Sequence, residues 1–370
     1  MPRRGSGSGG SRKSISSPAI LNGVRMRLIG LAVVLTLGLL VAPVTGEGPG
    51  MPQDRRVMII DTHAHPLRSL HRKAVVGSAS GFLQQMDNFS VEQVVLLPPP
   101  FPERQPGIYG RREIESFLRD GRGRLAMVAG GESLNPTIQG TSPDHVSAGV
   151  LRDFRKEAEA IASAGAVGFG EIALEHFSSG HGRHPYESTR PDHPLLLLLA
   201  DIAAERRLVI DVHMEAVPAD MPMPRAGLGR GRNPAELHAN VAAFERLLDH
   251  NRDAKIVWAH AGWDLTGERT ASLMRGLLDR HPNLYMSVKI DSAGFPGTKP
   301  MGEGGVKPGW LAMLRAFPDR FVIGSDQFFG ESTERLERAR DFIDALPPDL
   351  ARLVGRDNAL RLYRLPAHAP

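Results

Sequence analysis

The stretch from 57 to 65, VMIIDTHAH, joins a run of apolar and β-branched residues to two histidines at its end. The run predicts a buried β-strand, because such residues suit the pleated surface inside a sheet. Residues at i and i+2 of a strand project to the same side, so the imidazoles of His63 and His65 are expected to converge. The stretch therefore predicts a strand with a pair of nitrogen donors at its carboxyl end.

Seven further runs of this kind follow, separated by stretches with helical periodicity. The predicted strands after the first, which spans 57–61, are 91–97, 125–129, 166–170, 208–212, 255–259, 284–288 and 321–324. The clearest predicted helices are 151–164, 194–206, 233–250, 268–278 and 333–346. Asn233 followed by Pro is typical of a cap at the start of the third of these helices. Eight β/α units favour an α/β protein with one (β/α)8 barrel, and a doubly wound open sheet is the alternative.

Side chains that bind metal ions recur at the carboxyl ends of the predicted strands. Besides the first histidine pair, they are Glu171 after strand four, His213 after strand five, His260 after strand six and Asp326 after strand eight. Taken singly, His213 and His260 are more often core histidines than ligands, Asp326 more often caps a helix, and Glu171 is a rim carboxylate. Their shared position indicates a metal centre, because barrel enzymes build active sites at this end and such ligands suit zinc, manganese, iron or nickel. Glu175 and His176 are alternative ligands from strand four.

The composition excludes several classes of protein. The 370 residues include no cysteine, which excludes disulfide scaffolds, thiol enzymes and cysteine-ligated metal centres. The formal net charge is +4, but the six basic residues and no acidic residue of 1–46 leave 39 basic against 41 acidic residues in the remainder. Binding to nucleic acid needs a concentrated positive face, so no nucleic-acid partner is expected. The expected partner is a small-molecule substrate, and the sequence does not indicate an oligomeric state.

The first 46 residues have the order of a secretory signal peptide. A basic segment around Met26 precedes an uncharged apolar run over 28–42, which small residues follow. Met26 is also a candidate for the true first residue of the protein. The run is shorter than the ~20 residues that span a bilayer, so export to the periplasm or the medium is expected, with an uncleaved membrane anchor as the alternative. The expected organisation is a leader, 1–46, and a barrel, 47–370.

The residues at the strand ends resemble the amidohydrolase superfamily of metal-dependent hydrolases, and within it the amidohydrolase-related group that also includes decarboxylases. The resemblance covers nearly all of 57–365 and includes the closing Asn358-Ala359 pair. Many members carry a carbamylated lysine after strand four, whereas the Gly-Glu motif at Glu171 looks like the TatD-like branch. The resemblance implies the TIM barrel fold and a centre of one or two divalent ions, with Zn²⁺ expected and Mn²⁺, Fe²⁺ or Ni²⁺ as alternatives.

The resemblance also implies a role for each ligand. The first ion would be held by His63, His65 and Asp326, the second by His213 and His260, and Glu171 would bridge the two. Members with one ion use fewer ligands, and His260 would then act on the substrate.

The expected reaction is hydrolysis of an ester, lactone, amide or related bond in a small molecule. A divalent ion lowers the pKa of bound water from 15.7 to about 7 and polarises the scissile group. Asp326 would carry the proton of that water to the leaving group. The alternatives are a metal-dependent decarboxylase on the same fold, a TatD-like nuclease, which the export signal disfavours, and a binding barrel without chemistry.

Loops at the carboxyl ends of the strands carry the candidates for substrate binding. The five polar candidates are Arg183, Tyr186, Arg190, Arg225 and Lys289. Arginine can receive an acidic group through two hydrogen bonds, although solvated arginines on loops rich in Gly and Pro explain the pattern better. Met221, Met223 and Phe328 are candidates for an apolar wall.

Overall fold

A computed structural model of the protein describes residues 56–66, 79–103, 109–178, 184–224, 232–329 and 332–367. The predicted leader, together with Arg183 and Arg225, lies outside these residues. None of the helices within the described ranges has the length and hydropathy needed to cross a bilayer.

Eight parallel strands succeed one another around the central sheet. They are β1 Ile59–His65, β2 Val91–Leu96, β3 Leu125–Gly130, β4 Gly168–His176, β5 Val209–Met214, β6 Lys255–Ala261, β7 Leu284–Val288 and β8 Phe321–Ile323. Each strand pairs in parallel with the next one along the chain. All eight predicted strands are confirmed, and several extend further at the carboxyl end than the sequence indicates.

The sheet closes on itself between β8 and β1. Gln327 and Phe328, just after β8, pair in parallel with Ala64 and His65 of β1. The hydroxyl of Thr62 donates a hydrogen bond of 2.8 Å to the carbonyl of the last residue of β8. This closure confirms the (β/α)8 barrel and excludes the doubly wound open sheet.

Helices follow the strands and cover the outside of the barrel, except that the last helix packs against its amino end. They are α1 Ala79–Asn88, α2 Arg111–Asp120, α3 Leu134–Gln139, α4 Ala148–Ser163, α5 Pro194–Arg206, α6 Val241–His250, α7 Ala271–Arg280, α8 Pro308–Ala316, α9 Glu334–Asp344, α10 Pro348–Arg352 and α11 Asn358–Tyr363, with a 3-10 turn at Pro143–His145 and a π-helical turn at Leu353–Asp357. Helix α5 has its predicted bounds, because proline begins it and Arg207 in the left-handed conformation ends it.

The predicted helix over 233–250 is wrong in its first half. Helix α6 begins only at Val241, and Glu236–Leu237 instead pairs antiparallel with Met221–Pro222. The side chain of Asn233, the expected cap, accepts a 2.7 Å hydrogen bond from the backbone N–H of Ser178. The loop after β4 therefore takes the oxygen that would have capped the helix.

Apolar side chains form two layers, and the barrel interior is one of them. Inside the barrel, the residues near the amino ends of the strands pack against the last helix, and they include Ile60, Val95, Val128, Val209, Val257, Val322, Leu362 and Tyr363. Their neighbours along the strands face outward under the covering helices, as the period of two requires. The amino end of the barrel is thus a packed core, and the carboxyl ends of the strands carry the polar residues.

Candidate metal centre

The carboxylate of Glu171, on β4, lies among four histidines at the carboxyl end of the barrel. Its Oε2 atom is 3.5 Å from His63 Nε2 and 3.9 Å from His65 Nε2. Its Oε1 atom is 2.8 Å from His213 Nδ1 and 3.2 Å from His260 Nε2. Each carboxylate oxygen therefore faces one pair of histidines, which is the arrangement expected of a bridging ligand.

Asp326 completes the group beside the first histidine pair. Its Oδ1 atom is 3.1 Å from His65 Nε2, whereas its Oδ2 accepts hydrogen bonds from Lys289 Nζ at 2.6 Å and Arg335 Nη1 at 2.8 Å. Lys289 also lies over the ring of Trp263, 3.5 Å from its centroid. The structure thus brings together all six predicted ligands, and it adds two cations that hold the aspartate.

The outer ring nitrogens of the first histidine pair are held by the barrel itself. His63 Nδ1 lies 3.4 Å from Asp211 Oδ2, and His65 Nδ1 donates to the backbone carbonyl of Leu97 at 3.0 Å. Such partners fix the orientation of metal-binding imidazoles. Within the described residues, the inner Nε2 atom of His63 is buried and has no hydrogen-bond partner.

Two overlapping sets of donor atoms lie close enough together to hold an ion. One atom from each of His63, His65 and Asp326 falls within 4.8 Å of the others, and the same is true of His63, Glu171 and His260. Nitrogen and oxygen donors of this kind suit zinc and other transition metals. The residues present therefore fit a divalent ion.

Glu171 is ionised although it is buried. Burial opposes its ionisation, but the charge of His63 and hydrogen bonds from His213 and His260 hold the pKa of Glu171 well below its ordinary value. Burial likewise opposes protonation of His63, but the charges of Asp211 and Glu171 raise its pKa well above the ordinary value. A cation between these groups would replace the proton on the imidazole.

Asp326 is also ionised, whereas His260 is neutral. Burial opposes ionisation of Asp326, but the charges of Lys289 and Arg335 hold its pKa well below the ordinary value. Burial lowers the pKa of His260 well below its ordinary value. A neutral imidazole and an ionised carboxylate are the forms that bind metal ions.

Two of the predicted ligands have an uncommon backbone conformation. His260 has a φ of 63° and Asp326 a φ of 56°, in the left-handed region that residues other than glycine seldom adopt. Such conformations persist only where the surrounding structure imposes them. Both residues directly face the group around Glu171, so the barrel holds them there at a conformational cost.

The other candidates from strand four face elsewhere. Glu175 Oε2 accepts a 2.9 Å hydrogen bond from the hydroxyl of Ser188, and the carboxylate of Glu175 also accepts a hydrogen bond from Tyr186. The ring of His176 lies against that of His184, with 3.9 Å between the centroids. Glu171 is thus the residue of β4 that reaches the centre.

The described candidates for substrate binding lie in different places in the structure. Lys289 lies in the centre through its hydrogen bond to Asp326. Tyr186, Met221 and Met223 pack against an apolar cluster of buried residues, which are Phe177, Val217, Leu237 and Leu265. Phe328 stacks on the ring of His65, with 4.3 Å between the centroids. Lys289 and Phe328 therefore lie directly beside the side chains around Glu171.

The structure does not bring Arg190 to the centre. Its guanidinium binds Asp192 through two hydrogen bonds of 3.0 Å, and 60% of its side chain is exposed. Its ion pair with Asp192 at the surface accounts for the position of Arg190.

Tyr109 was not predicted, yet it lies close to the centre. It is fully buried, and its hydroxyl has no hydrogen-bond partner among the described residues. Burial and the charges of Glu171 and Asp326 raise the pKa of Tyr109 well above the ordinary value, so it keeps its proton. No sequence signal marks it, since it lies on a loop between β2 and α2. Asp211 was missed as well, although its spacing of two residues from His213 could have identified it.

Comparison with known proteins identifies the family. The family model described as Amidohydrolase matches residues 60–365. No curated protein matches the chain. A dihydroxybenzoic acid decarboxylase from Polaromonas sp. JS666, solved with bound manganese and an inhibitor, is 14% identical with a TM-score of 0.51, covering 83% of this chain and 97% of that one.

Two further solved structures have similar coverage. A 5-carboxyvanillate decarboxylase from Novosphingobium aromaticivorans, complexed with manganese, is 13% identical with a TM-score of 0.49 and covers 85% of this chain and 97% of that one. A probable 2-pyrone-4,6-dicarboxylic acid hydrolase from Acinetobacter baumannii is 14% identical with a TM-score of 0.48 and covers 83% of this chain and 99% of that one. Identities this low speak to the fold alone. The family model spans most of the barrel, and on that ground the chain belongs to the amidohydrolase family.

Proposed function

We propose that the protein is a metal-dependent hydrolase acting on an ester, lactone, amide or related bond of a small molecule. The observation that supports this most strongly is the position of Glu171, whose two oxygens each face a histidine pair. The ionised carboxylate of Asp326 lies beside the first pair. A centre of one or two divalent ions, with Zn²⁺ expected, fits this donor set.

In this proposal, each ligand has a defined place. His63, His65 and Asp326 would hold one ion, His213 and His260 would hold a second, and Glu171 would bridge them. A divalent ion bound there lowers the pKa of water and polarises an oxygen of the substrate.

The side chains around the centre supply the proton transfers. Asp326 accepts a proton from the attacking water and passes it to the leaving group, and Lys289 and Arg335 keep this carboxylate ionised between turnovers. Tyr109 keeps its proton and donates a hydrogen bond to the substrate oxygen that gains charge. Phe328 and Trp263 lie against the ligand histidines and limit the access of other water.

Export of the protein is a second part of the proposal. It rests on the basic segment, the apolar run over 28–42 and the small residues that follow. Expression in a Gram-negative host, cell fractionation and amino-terminal sequencing test it. A mature chain that starts near residue 47 outside the cytoplasm supports cleavage, and an intact chain in the membrane fraction supports the anchor instead.

The hydrolase proposal is tested with the purified chain after metal reconstitution. Elemental analysis gives the number of ions per chain. A panel of esters and lactones is assayed by proton release, and a panel of amides is assayed by release of the amine. Aromatic carboxylates are assayed in parallel for CO₂, because decarboxylation consumes a proton whereas ester hydrolysis releases one. Hydrolysis that a chelator abolishes, with wild-type activity in the exposed control His145→Asn, supports the proposal. Release of CO₂ without hydrolysis supports the decarboxylase, and a folded chain that binds no metal contradicts both.

A further inference from the structure

A second cluster of metal-binding side chains lies beside the centre around Glu171. One donor atom from each of His176, His184 and Glu187 falls within 4.8 Å of the others. The first and last of these are opposite each other in the antiparallel pairing of β4 with Glu187–Ser188. The ring of His176 also lies 4.3 Å from that of His213, measured between centroids, so the cluster adjoins the first centre.

Each residue of this cluster presents an unpaired polar atom. Glu187 Oε2 accepts a 2.5 Å hydrogen bond from Asn135, which leaves Oε1 free, and His184 Nδ1 donates to the carbonyl of Pro185 at 3.2 Å, which leaves Nε2 free. These two atoms and His176 Nδ1 are buried without a hydrogen-bond partner within the described part of the chain. An unpaired buried polar atom costs about 1–3 kcal/mol. Three such atoms in one cluster therefore indicate a ligand that satisfies them together.

The three side chains do not satisfy one another. His184 Nδ1 is 3.7 Å from Glu187 Oε1, which is too long for a hydrogen bond. The bonds to Asn135 and Pro185 act instead as outer partners that orient a carboxylate and an imidazole, as the outer partners of metal ligands do.

We propose that His176, His184 and Glu187 form an additional site for a divalent transition metal, separate from the six residues around Glu171. Two nitrogens and one oxygen suit zinc, cobalt, nickel or manganese. Ligand atoms about 2.1 Å from one tetrahedral ion lie about 3.4 Å apart, so donor atoms at the 4.8 Å limit of this cluster would move about 1.4 Å closer together when an ion binds. An ion there adds positive charge next to His213.

Zinc titration of the metal-free full-length chain tests this site. Glu187→Gln keeps the shape and an oxygen for Asn135 but removes the carboxylate, and His184→Gln removes an imidazole. Both variants are expected to bind one ion per chain fewer than the wild type, by calorimetry and by elemental analysis after desalting. His145→Asn, which replaces an exposed histidine outside both clusters, is expected to bind as many ions as the wild type. Equal stoichiometry in the wild type and both folded cluster variants overturns the proposal.

A measurement on the wild type covers the case in which a variant does not fold. Crystals soaked in Zn²⁺ are expected to give an anomalous diffraction peak at the zinc edge between His176, His184 and Glu187. A peak beside Glu171 without one at this cluster overturns the additional site and leaves the hydrolase proposal standing. A peak at this cluster alone supports the site and counts against the hydrolase.

Discussion

At the scale of single residues, Asp326 combines three properties that a proton carrier needs. It lies 3.1 Å from a ligand-type nitrogen of His65, it is ionised, and Lys289 and Arg335 fix its second oxygen. The two cations lower the pKa of Asp326, so its carboxylate stays ionised but is a weaker base. An anionic group of a bound substrate that draws Lys289 toward itself would strengthen that base.

We expect Asp326→Asn to retain metal and to lose most turnover. The amide oxygen still ligates, but the amide accepts no proton, and general acid–base groups contribute about 10²–10⁴-fold to rates. The measurement is kcat together with metal content, using His145→Asn as the control. A fully loaded Asp326→Asn enzyme with wild-type kcat would show that the proton leaves by another route.

Tyr109→Phe separates a role in substrate binding from a role in packing. The hydroxyl is buried and unpaired, so its removal should not destabilise the fold and should stabilise it by up to about 1–3 kcal/mol. If the hydroxyl donates to the substrate, kcat/KM should fall about tenfold, the equivalent of one hydrogen bond of about 1.4 kcal/mol. Thermal unfolding and kinetics are measured on the same samples. A lower melting temperature with unchanged kcat/KM would assign Tyr109 to packing.

The raised pKa of buried Asp264 makes the stability of the protein depend on pH. Burial and the nearby charge of Glu215 raise the pKa of Asp264 to about 6, from an ordinary value of 3.8. The folded state therefore holds this proton more tightly than the unfolded state, so the contribution of Asp264 to stability is fully present below about pH 4 and is lost as the pH rises through 6. Ionisation costs up to about 3 kcal/mol above that pH, from about two pKa units.

Asp264→Asn should remove that penalty, because an amide keeps the oxygen that accepts from Thr266 and carries no charge. The variant should melt above the wild type at pH 8 and should lose this advantage at pH 4. Thermal unfolding at pH 4, 6 and 8 measures the difference. An effect of the same size at all three values would rule out ionisation as its cause.

At the scale of elements, Gly324 directly follows the eighth strand and leaves room for His63 of the first strand. A Cβ atom at Gly324 would lie 2.8 Å from the Cβ of His63 and would also overlap the hydroxyl of Ser287. Real side chains do not approach so closely, so the two strands can meet here only if one carries glycine. The close approach places Asp326, two residues later, beside His65.

Gly324→Ala is expected to displace His63 and weaken metal binding. Overpacking of this kind costs about 1–3 kcal/mol, and a shifted imidazole loses affinity in addition. The melting temperature and the dissociation constant for Zn²⁺ are measured against Gly304→Ala, whose added Cβ meets nothing within 4 Å. Unchanged zinc affinity in a destabilised variant would show that the strand, and not the ligand, absorbs the overlap.

The starts of the strands could be predicted from the sequence to within two residues, whereas the ends of some strands, above all β1 and β4, could not. Apolar runs mark the packed amino half of the barrel, whereas β4 continues through polar residues to His176 because the pocket accepts them. Register shifts within β4 also break the alternation of sides, so spacing alone could not choose among Glu171, Glu175 and His176. The centre itself was predictable, because six ligand-type residues share the ends of strands.

The partners of the centre depend on contacts between distant parts of the chain. Tyr109 approaches Glu171 and Asp326 only when the barrel closes, and the sequence around it has no metal-binding pattern. The false start of α6 has the same origin, because Asn233 bonds to Ser178 across 55 residues. Local patterns do not contain such information.

At the scale of the whole molecule, the barrel divides into an apolar half and a charged half. The last helix packs into the amino end, whereas four histidines and two carboxylates are buried at the carboxyl end, each no more than 8% exposed. Buried charges are costly unless a partner offsets them. Burial of these side chains therefore lowers the free energy of unfolding unless a cation binds among them.

Metal removal is expected to lower the stability of the whole barrel. An ion that binds the folded state alone stabilises it by about 2.7 kcal/mol at a concentration 100 times the dissociation constant. For a domain of this size, that free energy corresponds to a fall of about 5–10 °C in melting temperature on chelation. Differential scanning calorimetry is run before chelation, after chelation and after return of Zn²⁺, Mn²⁺ or Mg²⁺, with elemental analysis of each sample. Zn²⁺ should restore the melting temperature more fully than Mg²⁺, because nitrogen-rich donor sets disfavour Mg²⁺. If verified metal loss leaves the melting temperature unchanged, the buried histidines and carboxylates are satisfied by one another and the centre does not need an ion to fold.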